Sequence, residues 1–135
     1  MYQNILIPIV FDTEHDKTNS IKLGGLLAAT DAQVTFLHVI EKIPAYATSY
    51  IPEDLQKELQ VALQKSINDV AAQLPGATGQ LVEGHSGRTI VDYAQEHGVD
   101  LIVIDSHRPS LQDLFLGSTA AHVVRHAACA VHVLR

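Results

Sequence analysis

Ile5-Leu6-Ile7-Pro8-Ile9-Val10 is a nearly continuous apolar run rich in β-branched residues, the composition of a central strand covered on both faces. Pro8 lacks an N–H, so the strand is predicted to end or bend there. Working outward, apolar runs of strand length alternate with stretches of helical period, the pattern that buries a parallel sheet between two helical layers. Val34-Thr35-Phe36-Leu37-His38-Val39-Ile40 reads as the second strand, Leu81-Val82 as a short third and Leu101-Ile102-Val103-Ile104 as the fourth. Ala130-Val131-His132-Val133-Leu134 supplies a fifth at the end of the chain.

The intervening segments read as helices. Ile21, Leu23, Leu26 and Leu27 form one apolar stripe that Asp31 terminates. Pro44 to Tyr50 forms an irregular connection. Pro52 suits a first helical position and Glu53 and Asp54 favour the positive end of the helix dipole. From there Leu55, Leu59, Ala62, Leu63, Ile67, Val70 and Leu74 predict a buried stripe that Pro75-Gly76 stops. A further helix follows Ser86-Gly87, carries Ile90, Val91 and Ala94 inward and closes on Gly98 as a left-handed cap after His97. Ser118 is placed to cap a last helix through Val123 and Val124. The expected architecture is α/β: an open five-stranded parallel sheet of flavodoxin-like, Rossmann-like type, order 3-2-1-4-5, with helices on both faces. In such a sheet ligands collect beyond the C-terminal strand ends where chain direction reverses, hence after Val10 and after Ile104.

Composition narrows the function. With 135 residues, 47% hydrophobic and 18% charged, residues 1–135 are expected to form one domain with a sizeable core. A net charge of −6 disfavours nucleic acid as a partner, because phosphate binding needs concentrated positive charge. The single cysteine, Cys129, has no internal disulfide partner. No apolar run approaches the roughly 18 residues that cross a bilayer, and Met1-Tyr2-Gln3-Asn4 does not open a leader-like segment. A soluble, cytoplasmic protein without membrane contacts is expected.

Chemistry concentrates in Asp105-Ser106-His107-Arg108-Pro109 through Leu116-Gly117-Ser118-Thr119. Gly117-Ser118-Thr119 falls where the last helix begins, so free N–H groups, two hydroxyls and the helix dipole converge on one point that attracts anions. Arg108 adds a permanent charge, and Ser106 and His107 add donors, so the crevice is suited to a polyphosphate. The plainer alternative makes Ser118 a helix cap and Arg108 a solvated loop residue.

These residues, with Ile5-Leu6-Ile7-Pro8, Leu37-His38-Val39, Glu83-Gly84, Ile90, Val124-Arg125-His126-Ala127 and Val131-His132-Val133, resemble the universal stress protein family over essentially the full chain. The likeness is to its small, nucleotide-binding F/G-like branch. The resemblance implies an adenine near Pro8, Ile9, Val10 and the backbone of Val39. It places phosphates over Ser106, His107, Arg108, Gly117, Ser118 and Thr119, with ATP, and Mg where the triphosphate carries it, as the ligand. For Val10 and Val39 ordinary core packing is the competing account. The resemblance also implies a homodimer through Val131, His132 and Val133, in keeping with an apolar strand at a sheet edge.

The chain departs from the family's ATP-loop pattern, G-x-x-G-x9-G-(S/T). Asp105 and Arg108 occupy the first two glycine positions, and eight residues separate Arg108 from Gly117. The F/G-like branch shares Ser-His-Arg-Pro and the shorter spacer. Val10 stands where the family usually has an Asp, with Asp12 two positions later. A carboxylate at about 4 Å from a phosphate charge costs roughly 4 kcal/mol at an effective dielectric near 20, a charge that Arg108 is suited to offset.

Other chemistries fit less well. His122 and His126 stand one helical turn apart, but the HExxH glutamate is absent and no further ligand has the right spacing, so no metal site is expected. His38 is expected as a hydrogen-bonded structural residue, and His15, His85 and His97 as loop or helix-end residues. Gly84-His85-Ser86-Gly87-Arg88 has Arg where a nucleophile elbow needs its last glycine, and no Walker lysine is present. Cys129 reads as buried filler. Three Phe, four Tyr and no Trp offer a flavin ring little to stack on. With no general base placed to activate water, no catalytic residue is assigned; hydrolysis or autophosphorylation, if any, is expected to be slow, with Ser118 and Thr119 as the hydroxyls to examine. The expected function is a dimeric, nucleotide-responsive signalling or protective module. The alternative is a relative that has lost nucleotide binding and acts through protein contacts.

Overall fold

The computed structural model describes residues 1–11, 17–106 and 116–135. Along the chain these form β1 (Tyr2–Pro8), α1 (Thr18–Leu27), β2 (Ala28–Ile40), α2 (Ala45–Thr48), α3 (Glu53–Ala71), β3 (Ala77–Glu83), α4 (Ser86–Glu96), β4 (Leu101–Asp105), α5 (Ser118–His126) and β5 (Ala130–Leu134). The sheet order is β3-β2-β1-β4-β5, with every neighbouring pair parallel, as predicted.

Connection handedness accounts for the layering. The steps β1 to β2 and β2 to β3 run one way across the sheet, while β3 to β4 and β4 to β5 run the other, so right-handed crossovers place the helices in two opposed layers. Strand alternation then divides the core. Ile5, Ile7, Val34, Phe36, Leu101 and Val103 pack with Ile67, Val70 and Ala71 of α3. Leu6, Leu37, Ile102 and Ile104 pack with Ile90, Ala94, Ala120 and Val123 of α4 and α5. The period-two division explains why β1 and β4 read as unbroken apolar runs: both of their faces are covered.

Several boundaries differ from expectation. β1 ends at Pro8, although the Ile9 N–H still donates to the Leu37 carbonyl at 2.8 Å. β2 begins at Ala28 and passes through Asp31, which takes a left-handed conformation (φ 64°) where the register with β1 shifts. Asp tolerates that conformation better than most residues. β3 extends to seven residues because it pairs with Val34 to Ile40 of β2, a tertiary contact that overrides the weak strand preference of Ala77-Thr78-Gly79-Gln80. The irregular connection contains the short α2, whose Ala47 and Thr48 N–H groups donate to the Pro44 carbonyl. Gly98 has φ 66°, the predicted cap conformation.

The apolar stripes are only partly buried. In α3, Ile67, Val70 and Ala71 are buried, but Leu55 and Leu59 are more than half exposed, because among the described residues nothing covers the amino-terminal half of this helix. Leu26 of α1 and Val124 of α5 are likewise exposed. Among the described residues, no helix is long and apolar enough to cross a membrane.

Candidate nucleotide-binding crevice

The chain reverses direction between the neighbouring strands β1 and β4, and their carboxyl ends open where an α/β sheet offers a crevice. Ile9 lies at the wall of this crevice and is buried, Pro8 is half-buried, and Val10 is 53% exposed. Val10 is therefore surface, not core packing. Val39, near the end of β2, packs partly buried against the α4/α5 side of the core, as its core reading required.

His38 ties two of these strand ends together. Its Nδ1–H donates to the Ile9 carbonyl at 2.8 Å, and the carbonyl, which can only accept, thereby defines the tautomer. The structural role expected of His38 is met, and the bond holds the backbone of a candidate base-contacting residue. Phe11 lies tilted against the His38 ring at 5.0 Å, and the Lys17 ammonium sits 5.4 Å from the Phe11 centroid. Sequence reading missed both Phe11 and Lys17; the signal was an aromatic directly after the first strand and a cation ahead of the first helix.

On the β4 side, Ser106 is buried, its N–H donating to the Leu134 carbonyl at 2.8 Å and its Oγ to the same oxygen at 3.3 Å. In this arrangement the Ser106 hydroxyl serves the β4–β5 junction. Gly117 occupies the N-cap position of α5 in extended conformation, and no side chain caps the helix. This corrects the expectation for Ser118, which is instead the first helical residue and exposed, with Thr119 half-buried beside it. A capping side chain would occupy the N–H groups that point out of the first turn; here they are left to other acceptors. His107 and Arg108 lie outside the described residues, as do Asp12 and His15.

His97 donates from Nδ1 to the Tyr93 carbonyl at 2.9 Å and stacks on the Tyr93 ring. Cys129 is half-buried against the α4/α5 side of the core. A separate groove of about 450 Å³ runs between α3 and the ends of β2 and β3, lined by Ile40, Val61, Leu81, Gln60, Gln64 and Glu83. It lies on the β3 side of the sheet, two strands from the β1/β4 crevice.

Comparison with known proteins agrees with this architecture. A sequence model described as the Universal stress protein family matches residues 1–135. Universal stress protein A homolog 2 of Coxiella burnetii is 32% identical over 99% of this chain and 95% of its own. Universal stress protein G of Escherichia coli O157:H7 is 33% identical over the whole of both chains. Among solved structures, universal stress protein UspA from Lactobacillus plantarum has a TM-score of 0.68 at 29% identity, covering 99% of this chain and 98% of that one. The Archaeoglobus fulgidus universal stress protein in complex with dAMP has a TM-score of 0.63 at 18% identity, with 99% and 98% covered. An Arabidopsis thaliana family member with AMP bound has a TM-score of 0.63 at 15% identity, with 98% and 90% covered. Matched from its first residue to its last, and a third identical to relatives of nearly its own length, the chain belongs to the universal stress protein family.

Proposed function

We propose that this protein binds an adenine nucleotide, ATP with Mg in its fullest form, in the crevice between β1 and β4. The observation that carries the reading is the first turn of α5: Gly117, Ser118 and Thr119 present uncapped N–H groups and hydroxyls where the chain reverses direction. The adenine complexes of the fulgidus and thaliana proteins support the choice of base. Pro8, Ile9, Val10 and the Val39 backbone would enclose the adenine. His107, Arg108, Gly117, Ser118 and Thr119 would meet the phosphates, with Ser106, whose N–H and hydroxyl are taken by the Leu134 carbonyl, lining the crevice beside them. Magnesium would be held chiefly by the triphosphate, where it offsets negative charge beside Asp105.

The same reading makes residues 1–135 one domain that pairs with a second copy along the exposed edge of β5 and acts as a nucleotide-responsive signalling or protective module of the cytoplasm. Binding rather than turnover is its chemistry. The test is thermal melting with Mg-ATP, Mg-GTP and AMP, followed by calorimetric titration. A ligand at about 100 times its dissociation constant stabilises a fold by roughly 2.7 kcal/mol through linkage. A rise in melting temperature selective for adenine, lost on substituting Gly117 by Val, is expected. No shift at millimolar nucleotide overturns the reading and leaves a protein that acts through contacts alone.

A further inference from the structure

On one face of the sheet, α4 and α5 meet at a line of three imidazoles. His122 and His126 of α5 stack with ring centroids 4.2 Å apart and planes inclined by 26°, and the ring of His85, at the N-cap of α4, lies 6.4 Å from His122. His126 donates from Nδ1 to the His122 carbonyl at 3.0 Å, which holds the outer ring in place. Gly87 fixes the inner one. A Cβ at position 87 would come within 2.9 Å of the His122 Cβ, so the helices approach as closely as they do because α4 has glycine there. His122 is half-buried, and cannot step away from its neighbours without opening the seam.

The charges around His122 all have one sign. Arg88 and His85 act on it from α4, Arg125 and His126 from α5. Two carboxylates lie nearby: Asp92 of α4 faces Arg88 at 3.9 Å and tempers that charge, and Glu41, just past β2, accepts from Ser86 Oγ at 3.1 Å. Near-parallel rings in contact also direct their in-plane lone pairs alongside one another, which suits stacking better than shared coordination of a metal ion. Among the described residues, no group of three or more His, Cys, Asp or Glu side chains is arranged to hold one.

From this geometry we infer that the α4–α5 seam is an acid-sensitive joint, in which protonation of the stacked imidazoles places like charges in contact beside two arginines and loosens α5 from α4. Partial burial, and then the charges of His126, His85, Arg125 and Arg88, hold the His122 imidazole below the usual histidine range. The folded chain therefore takes up this proton at lower pH than the unfolded chain. Stability falls as pH drops through about 6.5, where an unfolded histidine titrates, and continues to fall until His122 itself is protonated in the folded state.

The experiment is an NMR titration of the histidine rings between pH 8 and 5, paired with hydrogen-exchange protection of α5 and thermal melts at each pH. His122 is expected to titrate below a histidine in an unstructured peptide, with protection of α5 falling several-fold across that titration. Arg88→Gln should move the His122 midpoint upward, and His122→Gln should flatten the acid side of the melting profile. A His122 midpoint at or above the peptide value, or α5 protection unchanged while His122 titrates, overturns the inference. Both are read on the wild-type chain, so they decide the matter even where His122→Gln does not fold, and no nucleotide is required.

Discussion

His38 and Ile9 join the exits of two adjacent parallel strands: the imidazole Nδ1–H at the end of β2 donates to the carbonyl just beyond β1 at 2.8 Å. Parallel strands end without a hairpin to hold their termini, so a side-chain bond to backbone does that work here. Phe11 packs tilted against the same ring, with centroids 5.0 Å apart. The His38→Ala substitution leaves the Ile9 carbonyl short of a partner and is expected to cost about 1–3 kcal/mol in urea denaturation. On the proposed function it should also weaken adenine nucleotide binding, because the backbone of Ile9, proposed to enclose the base, loses its support. His38→Asn, which retains a donor on a shorter side chain, should recover part of the stability. Equal stability of His38→Ala and wild type would show that the bond does not hold this end of the sheet.

The opposite end of the sheet is held by Asp100. Its two carboxylate oxygens accept from the N–H groups of Gln3 and Asn4, each at 2.9 Å, and its own N–H donates to the Asn4 carbonyl at 2.9 Å. Asn4 Nδ2 completes the junction by donating to the His97 carbonyl at 2.7 Å. Strand pairing between β1 and β4 joins Ile5 with Leu101 and Leu6 with Ile102, and this clasp extends it. Asp100→Ala removes two acceptors and is expected to lose about 1–3 kcal/mol, the first contact being solvent-exposed and so the weaker. Asp100→Asn, which keeps one acceptor oxygen, should fall between the two. Hydrogen exchange at the Gln3 and Asn4 amides measures the effect directly, and unchanged protection in Asp100→Ala would contradict it.

How much of this was legible in advance follows from what each signal reports. The strand order could be read because Ile5 to Val10 and Leu101 to Ile104 are apolar on both faces, which only central strands of a covered sheet require. The crevice followed from that order, and the α5 start from Gly117-Ser118. Periodicity, however, reports that a stripe is apolar and not what lies above it, so Leu55 and Leu59 read as core and stand exposed. Ala28 carries little strand preference and enters β2 by pairing with Tyr2, and Asp31 falls in the register shift that follows. The hydroxyl of Ser106 looked available as a phosphate donor because its acceptor, Leu134, is 28 residues away in sequence and joins it only once β4 and β5 pair.

That contrast along α3 can be measured. Ile67 is fully buried among Ile5, Phe36, Val70 and their neighbours, whereas Leu59, two turns earlier, is 56% exposed. Ile67→Ala should cost about 2–5 kcal/mol through lost burial and the cavity left behind. Leu59→Gln should change stability by no more than about 0.5 kcal/mol, as surface substitutions do. Comparable losses for the two would mean that the amino-terminal half of α3 is covered in solution, for which the oligomeric state of the Leu59→Gln protein is the next measurement.

Cys129 offers a chemical probe of the same packing. It sits immediately before β5, half-buried, and touches the α4/α5 side of the core. Burial is the main influence on its thiol and pushes the pKa up; a backbone hydrogen bond works in the opposite direction, and the Asp100 charge adds to the rise. Only the thiolate reacts rapidly with alkylating reagents, so a raised pKa and restricted access both slow the reaction. Iodoacetamide at pH 7.5 is expected to modify Cys129 several-fold more slowly in the folded protein than in the guanidinium-unfolded chain, as read by mass spectrometry. Asp100→Asn removes one of the two influences that raise the pKa and should accelerate the reaction slightly at pH 7.5. A folded-state rate equal to that of the unfolded chain would place the thiol in solvent and separate the β5 entry from the core.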